Sequence, residues 1–167
     1  MRRFAPLFVA VALTLPALAR AELTSSDQDF LTKAAQGNMD EVKLGQLAAT
    51  HAQSAAVKSF GKKMVTDHGK AVVQIKALAT KKNLALPTDV SQDQQKKYDD
   101  LAKQSGADFD KAYMDAMVQD HDQDVAEFQS AAKTAKDKDV RGLAKKLLPT
   151  LKRHQKMAHA GAMPKTM

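Results

Sequence analysis

The chain has 167 residues, a formal net charge of +7 and no cysteine. This length is typical of one domain, and the lack of cysteine excludes disulfide scaffolds, thiol catalysis and iron–sulfur clusters. The basic residues are spread and no aromatic residues alternate with them, so the charge does not indicate a nucleic-acid partner. Few aromatic residues together with frequent Ala, Lys, Leu and Gln favour helices over sheets.

Residues 1–21 have the pattern of a secretory signal peptide. Arg2 and Arg3 precede an apolar run over residues 4–18, and Ala19-Arg20-Ala21 fits a small-x-small cleavage site. Cleavage after Ala21 would leave residues 22–167 as the mature domain, in a bacterial periplasm or secreted. The apolar run is shorter than the ~20 residues of a membrane span, and we expect no transmembrane segment in the mature chain. A retained N-terminal anchor is the alternative interpretation.

Four long amphipathic helices are predicted at about residues 27–51, 54–82, 108–134 and 137–159. Ser25, Ser26 or Asp27 can cap the first helix, and Ser54 can cap the second. The connector between the second and third helices contains a short polar helix that ends at Ser105-Gly106. Pro149 lies inside the fourth helix and is expected to kink it. The pattern predicts an all-α four-helix bundle with a short extra helix in this connector.

An internal repeat with an offset of 83 residues relates the first two helices to the last two. It pairs Phe30 with Tyr113 and Val42 with Val125. The offset predicts a bundle built from two similar helical hairpins. The alternative is coincidence, because any two amphipathic helices share their period and much of their composition.

Each predicted helix carries a polar residue in the middle of its apolar face. These residues, which all lie near mid-height of the bundle, are Glu41, His68, His121 with Asp124 one turn later, and His154. A buried carboxylate needs a cation, a proton or hydrogen bonds, and imidazoles with carboxylates in a bundle core are a ligand set for Zn, Mn, Fe or Cu. We therefore predict a metal site at these five residues. The alternative is a polar core network of salt bridges and hydrogen bonds without metal.

Other polar residues have weaker claims to a role at this site. Asp67 and Asp120 lie at the edges of the apolar faces, where they either orient a neighbouring histidine or face solvent. His51 and His159 are predicted at the surface. The scattered methionines have the spacing of core residues and are interpreted as packing.

The motifs around these residues resemble one known family. Residues 30–45 (FLTKAAQGNMDEVKLG) look like the opening motif of the domain-of-unknown-function 4142 family, and residues 64–68, 113–121 and 148–154 match its later motifs. The resemblance implies an exported bacterial protein with a ferritin-like four-helix bundle and, in some members, association with the outer membrane. It implies no established molecular function.

The sequence departs from the di-iron pattern of ferritins, which requires Glu-x-x-His on two helices. Val65 and Leu151 occupy the positions three residues before His68 and His154. This departure favours a mononuclear or histidine-rich site over a two-iron oxidase.

Three functions are compatible with these patterns. The first is a metal-binding bundle without turnover, and the second is a metal-dependent redox enzyme that acts on a small oxidant. The third is a structural or stress-related envelope protein whose polar core holds no metal. Peripheral association with the envelope is compatible with all three, and the sequence does not indicate an oligomeric state.

Overall fold

The computed structural model describes residues 22–162, so the predicted signal peptide lies outside the described residues. The helices are α1 (Ser25–His51), α2 (Ala55–Lys81), α3 (Gln92–Ala102), α4 (Gly106–Thr134) and α5 (Lys138–Ala162). No strand occurs within residues 22–162. The prediction of an all-α, ferritin-like four-helix bundle with a short helix in the connector is confirmed. None of the helices in this range is both long and apolar enough to cross a membrane.

The bundle consists of two antiparallel hairpins, α1–α2 and α4–α5, with α1 against α4 and α2 against α5. The start of α4 lies beside the α1–α2 turn, because the Asp110 carboxylate accepts hydrogen bonds from the backbone N–H groups of Gln53 and Ser54. The end of α2 lies beside the start of α5, where Lys82 pairs with Asp137. The connector must therefore run the length of the bundle, and on its way α3 packs against α1 and α4. One long crossover of this kind is found in ferritin-like bundles.

Several helix ends differ from the sequence-based expectation. The side chain of Thr24, rather than that of Ser25, Ser26 or Asp27, caps α1 by accepting from the Asp27 N–H. Gly106 does not end the connector helix but begins α4, with a φ of 62° that a glycine adopts without strain. Pro149 lies inside α5, where the sequence placed it, and the helix continues through it as one element.

Equivalent hydrogen bonds join the two hairpins at opposite ends of the bundle, in each case from a carboxylate of one hairpin to the turn of the other. Asp27 accepts hydrogen bonds from the N–H groups of Lys136 and Asp137 in the α4–α5 turn. Asp110, which the repeat offset pairs with Asp27, does the same for the α1–α2 turn. This reciprocal arrangement supports the interpretation that the hairpins are repeats.

The apolar core is divided into two clusters along the bundle axis. One cluster contains Leu31, Ile75 and Phe128, and the other contains Leu44 and Met64 among others. Apart from Asp27 at the start of α1, the buried polar residues of the four long helices lie in sequence between the parts that contribute to the two clusters. The polar residues therefore form a layer near the middle of the bundle.

Candidate metal centre

Three histidines from three helices meet in this polar layer. His68 on α2, His121 on α4 and His154 on α5 are all buried, with at most 2% of each residue exposed. One ring nitrogen from each lies within 4.8 Å of the other two. Within residues 22–162 this is the one group of three or more potential metal ligands at such spacing. We call it the histidine triad.

The ring of His68 is oriented by a residue of α1. The Asn38 Nδ2 group donates to the Ala34 carbonyl at 2.7 Å, which directs the amide oxygen towards His68. His68 Nδ1 lies 2.8 Å from that oxygen and must donate, because the amide oxygen is only an acceptor. A neutral His68 therefore has its lone pair on Nε2.

The other two rings are oriented in the same way. His121 Nδ1 donates to the Met117 carbonyl at 2.8 Å, and its Nε2 is buried without a hydrogen-bond partner. His154 Nε2 lies 3.0 Å from the Asp67 carboxylate, which also accepts from Lys63. His154 Nε2 therefore carries the proton and its Nδ1 carries the lone pair when the ring is neutral.

Burial keeps all three rings neutral near pH 7. It lowers the pKa of His68 well below 6.5, with added repulsion from His121 and His154. Burial also lowers the pKa of His121, and it lowers the pKa of His154 to about 4 in spite of the hydrogen bond to Asp67. Although its own partial burial opposes the change, hydrogen bonds from Lys63 and His154 lower the pKa of Asp67.

Two lone pairs consequently face each other across a short gap. His154 Nδ1 lies 3.2 Å from His68 Nε2, and neither nitrogen carries a proton in the neutral rings. Two nitrogens bound to one tetrahedral metal ion at ~2.0–2.1 Å are about 3.3 Å apart. The observed spacing, together with the unpartnered Nε2 of His121, fits a transition-metal ion at the centre of the triad.

Glu41 adjoins the triad without joining it. Its Oε1 lies 3.7 Å from His121 Nδ1, the nitrogen that donates to Met117 rather than the one with the lone pair. Neither carboxyl oxygen of Glu41 has a hydrogen-bond partner, and the hydroxyl of Tyr113 is likewise unpartnered. Burial, with repulsion from Asp120 and Asp124, raises the pKa of Glu41 well above 4.5. Burial therefore favours the protonated, neutral form of Glu41.

Asp124 lies apart from the triad, although the sequence placed it with His121. It lines a separate cleft together with Asp40, Asp120 and Lys97. Burial, with repulsion from Asp120, raises the pKa of Asp124 to about 7. Asp120 faces the same cleft and pairs with Lys97, so it does not orient His121 through a side-chain hydrogen bond. His51 and His159 are exposed, as expected.

The sequence interpretation missed Asn38. It lies on the inward face of α1 one turn before Glu41 and is 1% exposed. The repeat offset of 83 also pairs Asn38 with His121, and that coincidence is the signal that would have found it. For Asp67 the sequence left two roles open, orienting a histidine or facing solvent. The structure shows the first, since the Asp67 carboxylate accepts a hydrogen bond from the ring of His154.

Comparison with known proteins identifies the family. The family model for the domain of unknown function DUF4142 matches residues 12–160. The chain belongs to the DUF4142 family. No match was found among curated proteins.

Solved structures with a similar fold have low sequence identity to this DUF4142 protein. A DUF305 fragment from Deinococcus radiodurans has a TM-score of 0.73 at 13% identity, covering 84% of this chain and 97% of that one. CopM in its Cu(I)-bound form has a TM-score of 0.67 at 15% identity, covering 80% of this chain and 93% of that one. CopM in its Cu(II)-bound form has a TM-score of 0.68, also at 15% identity, with 81% and 95% covered. These similarities show a shared helical fold.

The neutral triad makes the stability of the DUF4142 protein depend on pH. The pKa of His154 is about 4 in the folded protein and 6.5 ordinarily. The contribution of the neutral ring to the unfolding free energy is therefore complete above pH 6.5 and is lost as the pH falls towards 4. The difference in unfolding free energy between wild type and His154→Gln should shrink by up to about 1.4 kcal/mol per pH unit over this interval. Urea unfolding at several pH values in chelator measures it.

Replacing the exposed His159 by Gln provides the control for this pH series. Its difference from wild type should stay constant across the interval. A His154→Gln difference that also stays constant would contradict a neutral, buried His154.

Glu41 is expected to destabilise the metal-free protein. Because both of its oxygens are buried without partners, Glu41→Leu should raise the unfolding free energy by about 1–2 kcal/mol. Glu41→Gln keeps the shape and leaves a polar amide in the same place, so it should give no such gain. Denaturation of the two variants at pH 7 in chelator measures the difference. A Gln variant as stable as the Leu variant would contradict the claim that the unpartnered oxygens of Glu41 destabilise the metal-free protein.

Proposed function

We propose that this DUF4142 protein binds a transition-metal ion in its bundle core through His68, His121 and His154. The observation that supports this most is the direction of the lone pairs. Each outer ring nitrogen donates to a fixed acceptor, namely Asn38, the Met117 carbonyl or Asp67. The inner nitrogens are thereby held as bases around one point. Hydrogen bonds of this kind to the outer nitrogen are usual for metal-bound histidine.

The donor set favours copper or zinc over manganese. Imidazole suits Zn, Cu, Fe and Ni, whereas Mn prefers carboxylates and water. No carboxylate belongs to the group of ligand atoms within 4.8 Å. The structurally similar CopM is described in copper-bound and silver-bound forms, so copper is the first metal to test here. At 15% identity that likeness supports the choice of metal only by analogy.

A second candidate function is redox catalysis on a small oxidant. Three protein ligands leave a fourth position on a tetrahedral ion, as in catalytic zinc sites. A cavity of about 200 Å³ adjoins His68 and His154 and is bordered by Asp67 and Gln74. The cavity offers a route by which a small molecule reaches the triad, and this observation favours the enzyme over a closed storage site.

We also propose an extracytoplasmic location for the protein. The support is the signal-like pattern of residues 1–21, with cleavage after Ala21. A metal site in the periplasm, or at its membranes, would meet metal ions as they enter the cell.

Competition titration with Cu(II) and Zn(II) tests the metal proposal. His68→Gln and His154→Gln should each weaken the affinity at least about 100-fold, since each removes one of three ligands. His51→Gln and His159→Gln remove exposed histidines and should bind as wild type does. Equal affinities in all four variants would show that the metal binds elsewhere, and no binding by wild type would refute the proposal.

A further inference from the structure

The cavity beside the histidine triad extends from buried rings to exposed lysines. His68 and His154, each at most 2% exposed, contribute their rings to its wall. Lys70 on α2 and Lys146 on α5 also line the cavity, and both are exposed. Its volume of about 200 Å³ exceeds the ~10–15 Å³ that one water molecule needs. The cavity is therefore large enough to bring a ligand of several atoms from the surface to the triad.

The exposed side of this cavity carries positive charge that the described residues do not neutralise. Neither Lys70 nor Lys146 forms an ion pair within residues 22–162. Asp67 is the acidic residue of the lining, and its carboxylate already pairs with Lys63. The charge of Asp67 is thereby balanced, and the two free lysines leave the entrance positive.

The same charge continues over the two helices that border the cavity. Helix α2 carries six Lys or Arg residues and one acidic residue, and α5 carries seven and one. By contrast, α1 carries two basic and four acidic residues, and α4 carries two and seven. Because the fold places α2 against α5, the charges of the two most basic helices add on one side of the bundle. Such a field raises the local concentration of anions and speeds their arrival.

The buried end of the cavity calls for a negatively charged ligand once a metal ion is bound. Three histidine nitrogens leave the fourth position of a tetrahedral ion free, and no carboxylate belongs to the group of ligand atoms within 4.8 Å. Imidazole binds metal in its neutral form. A divalent ion held by the triad alone would therefore keep its full double charge in a buried place, and this charge favours an anion in the free position.

We propose that the cavity admits a small inorganic anion to the metal ion of the triad, where the anion becomes the fourth ligand. The inference rests on the metal site under the proposed function and names the class of ligand that this site takes. Gln74 Oε1 is an unpartnered oxygen of the lining, but it belongs to a neutral amide and carries no formal charge. A neutral molecule of the same size would gain nothing from Lys70 and Lys146.

Azide, a linear anion of three atoms, is the probe for this site. Copper binding is measured first by titration, and azide is then added while the charge-transfer absorption between azide and Cu(II) is followed. Wild type should bind azide saturably, and the affinity should fall as sodium perchlorate is added, because salt screens the lysines. The double variant Lys70→Gln/Lys146→Gln should weaken azide binding about tenfold, since it removes two positive charges from the entrance.

Two matched variants separate the effect of charge from that of structure. Lys70→Arg/Lys146→Arg keeps both charges and should bind azide as wild type does. Lys133→Gln removes one charge from an exposed position of α4 that does not line the cavity, and it should also bind azide as wild type does. All variants should bind copper with the affinity of wild type.

Three results would overturn the inference. Copper binding without an azide band would show that the fourth position is closed, and it would leave the metal proposal intact. Equal azide affinities in wild type and Lys70→Gln/Lys146→Gln would show that the two lysines do not attract the anion. No copper binding by wild type would overturn the metal proposal and this inference together.

Discussion

Saturating copper or zinc is expected to raise the unfolding free energy by about 4 kcal/mol at a free metal concentration of about 1,000 times Kd. The gain arises because the folded chain brings three neutral imidazoles together within 4.8 Å, whereas the unfolded chain does not. Binding to the native state alone shifts the folding equilibrium by mass action. Chemical denaturation with and without metal measures the gain, and excess chelator should reverse it.

His121→Gln is the decisive variant for this stabilisation. His121 is fully buried, and its Nε2 is the triad nitrogen without any partner in the metal-free protein. The variant should remain folded and lose most of the metal-dependent gain. His51→Gln, at an exposed position, should keep the whole gain. If wild type and His121→Gln were stabilised equally, the metal would be bound at the surface or in the unfolded state.

Alanine at Gly45 or Gly61 is expected to cost about 2–3 kcal/mol of stability. These two glycines let α1 and α2 approach each other closely. A Cβ added at either position would lie 2.7 Å from the backbone oxygen of the other glycine. Backbone cannot move aside as a flexible side chain can, so the helices must separate. Thermal and urea unfolding of the two variants measures the loss.

Gly69 and Gly142 provide matched controls for the helix crossing. A Cβ at either position would meet nothing within 4 Å. Alanine there should stabilise the protein by about 0.5–1 kcal/mol, because glycine in a helix interior has a larger conformational entropy to lose. A Gly61→Ala variant that gained stability like Gly69→Ala would contradict the close crossing of α1 and α2.

The four long helices were predictable because their apolar residues recur with the helical period over more than 20 residues. Their ends were less predictable, since several residues near each end can cap a helix equally well. Thr24 caps α1 although three other candidates follow it. Gly106 begins α4 because its φ of 62° suits the bend after the connector, and a glycine in that sequence context equally suits the end of a helix.

The three histidines were predictable as inward-facing residues because each interrupts an apolar face. Asn38 was not identified, because its role depends on reaching His68 from a neighbouring helix.

The side chain of Asp124 points to a different side of α4 from that of His121. Three residues of an α-helix rotate a side chain about 60° short of a full turn, which here directs Asp124 into the cleft shared with α1 and α3.

X-ray absorption spectroscopy of the copper- or zinc-loaded protein tests the central claim most directly. The account predicts three imidazole nitrogens at about 2.0–2.1 Å from the metal, with the histidine signal reduced in His68→Gln and unchanged in His51→Gln. A coordination shell of oxygen ligands alone, or a spectrum that the three core histidine substitutions leave unaltered, would contradict a metal centre at His68, His121 and His154.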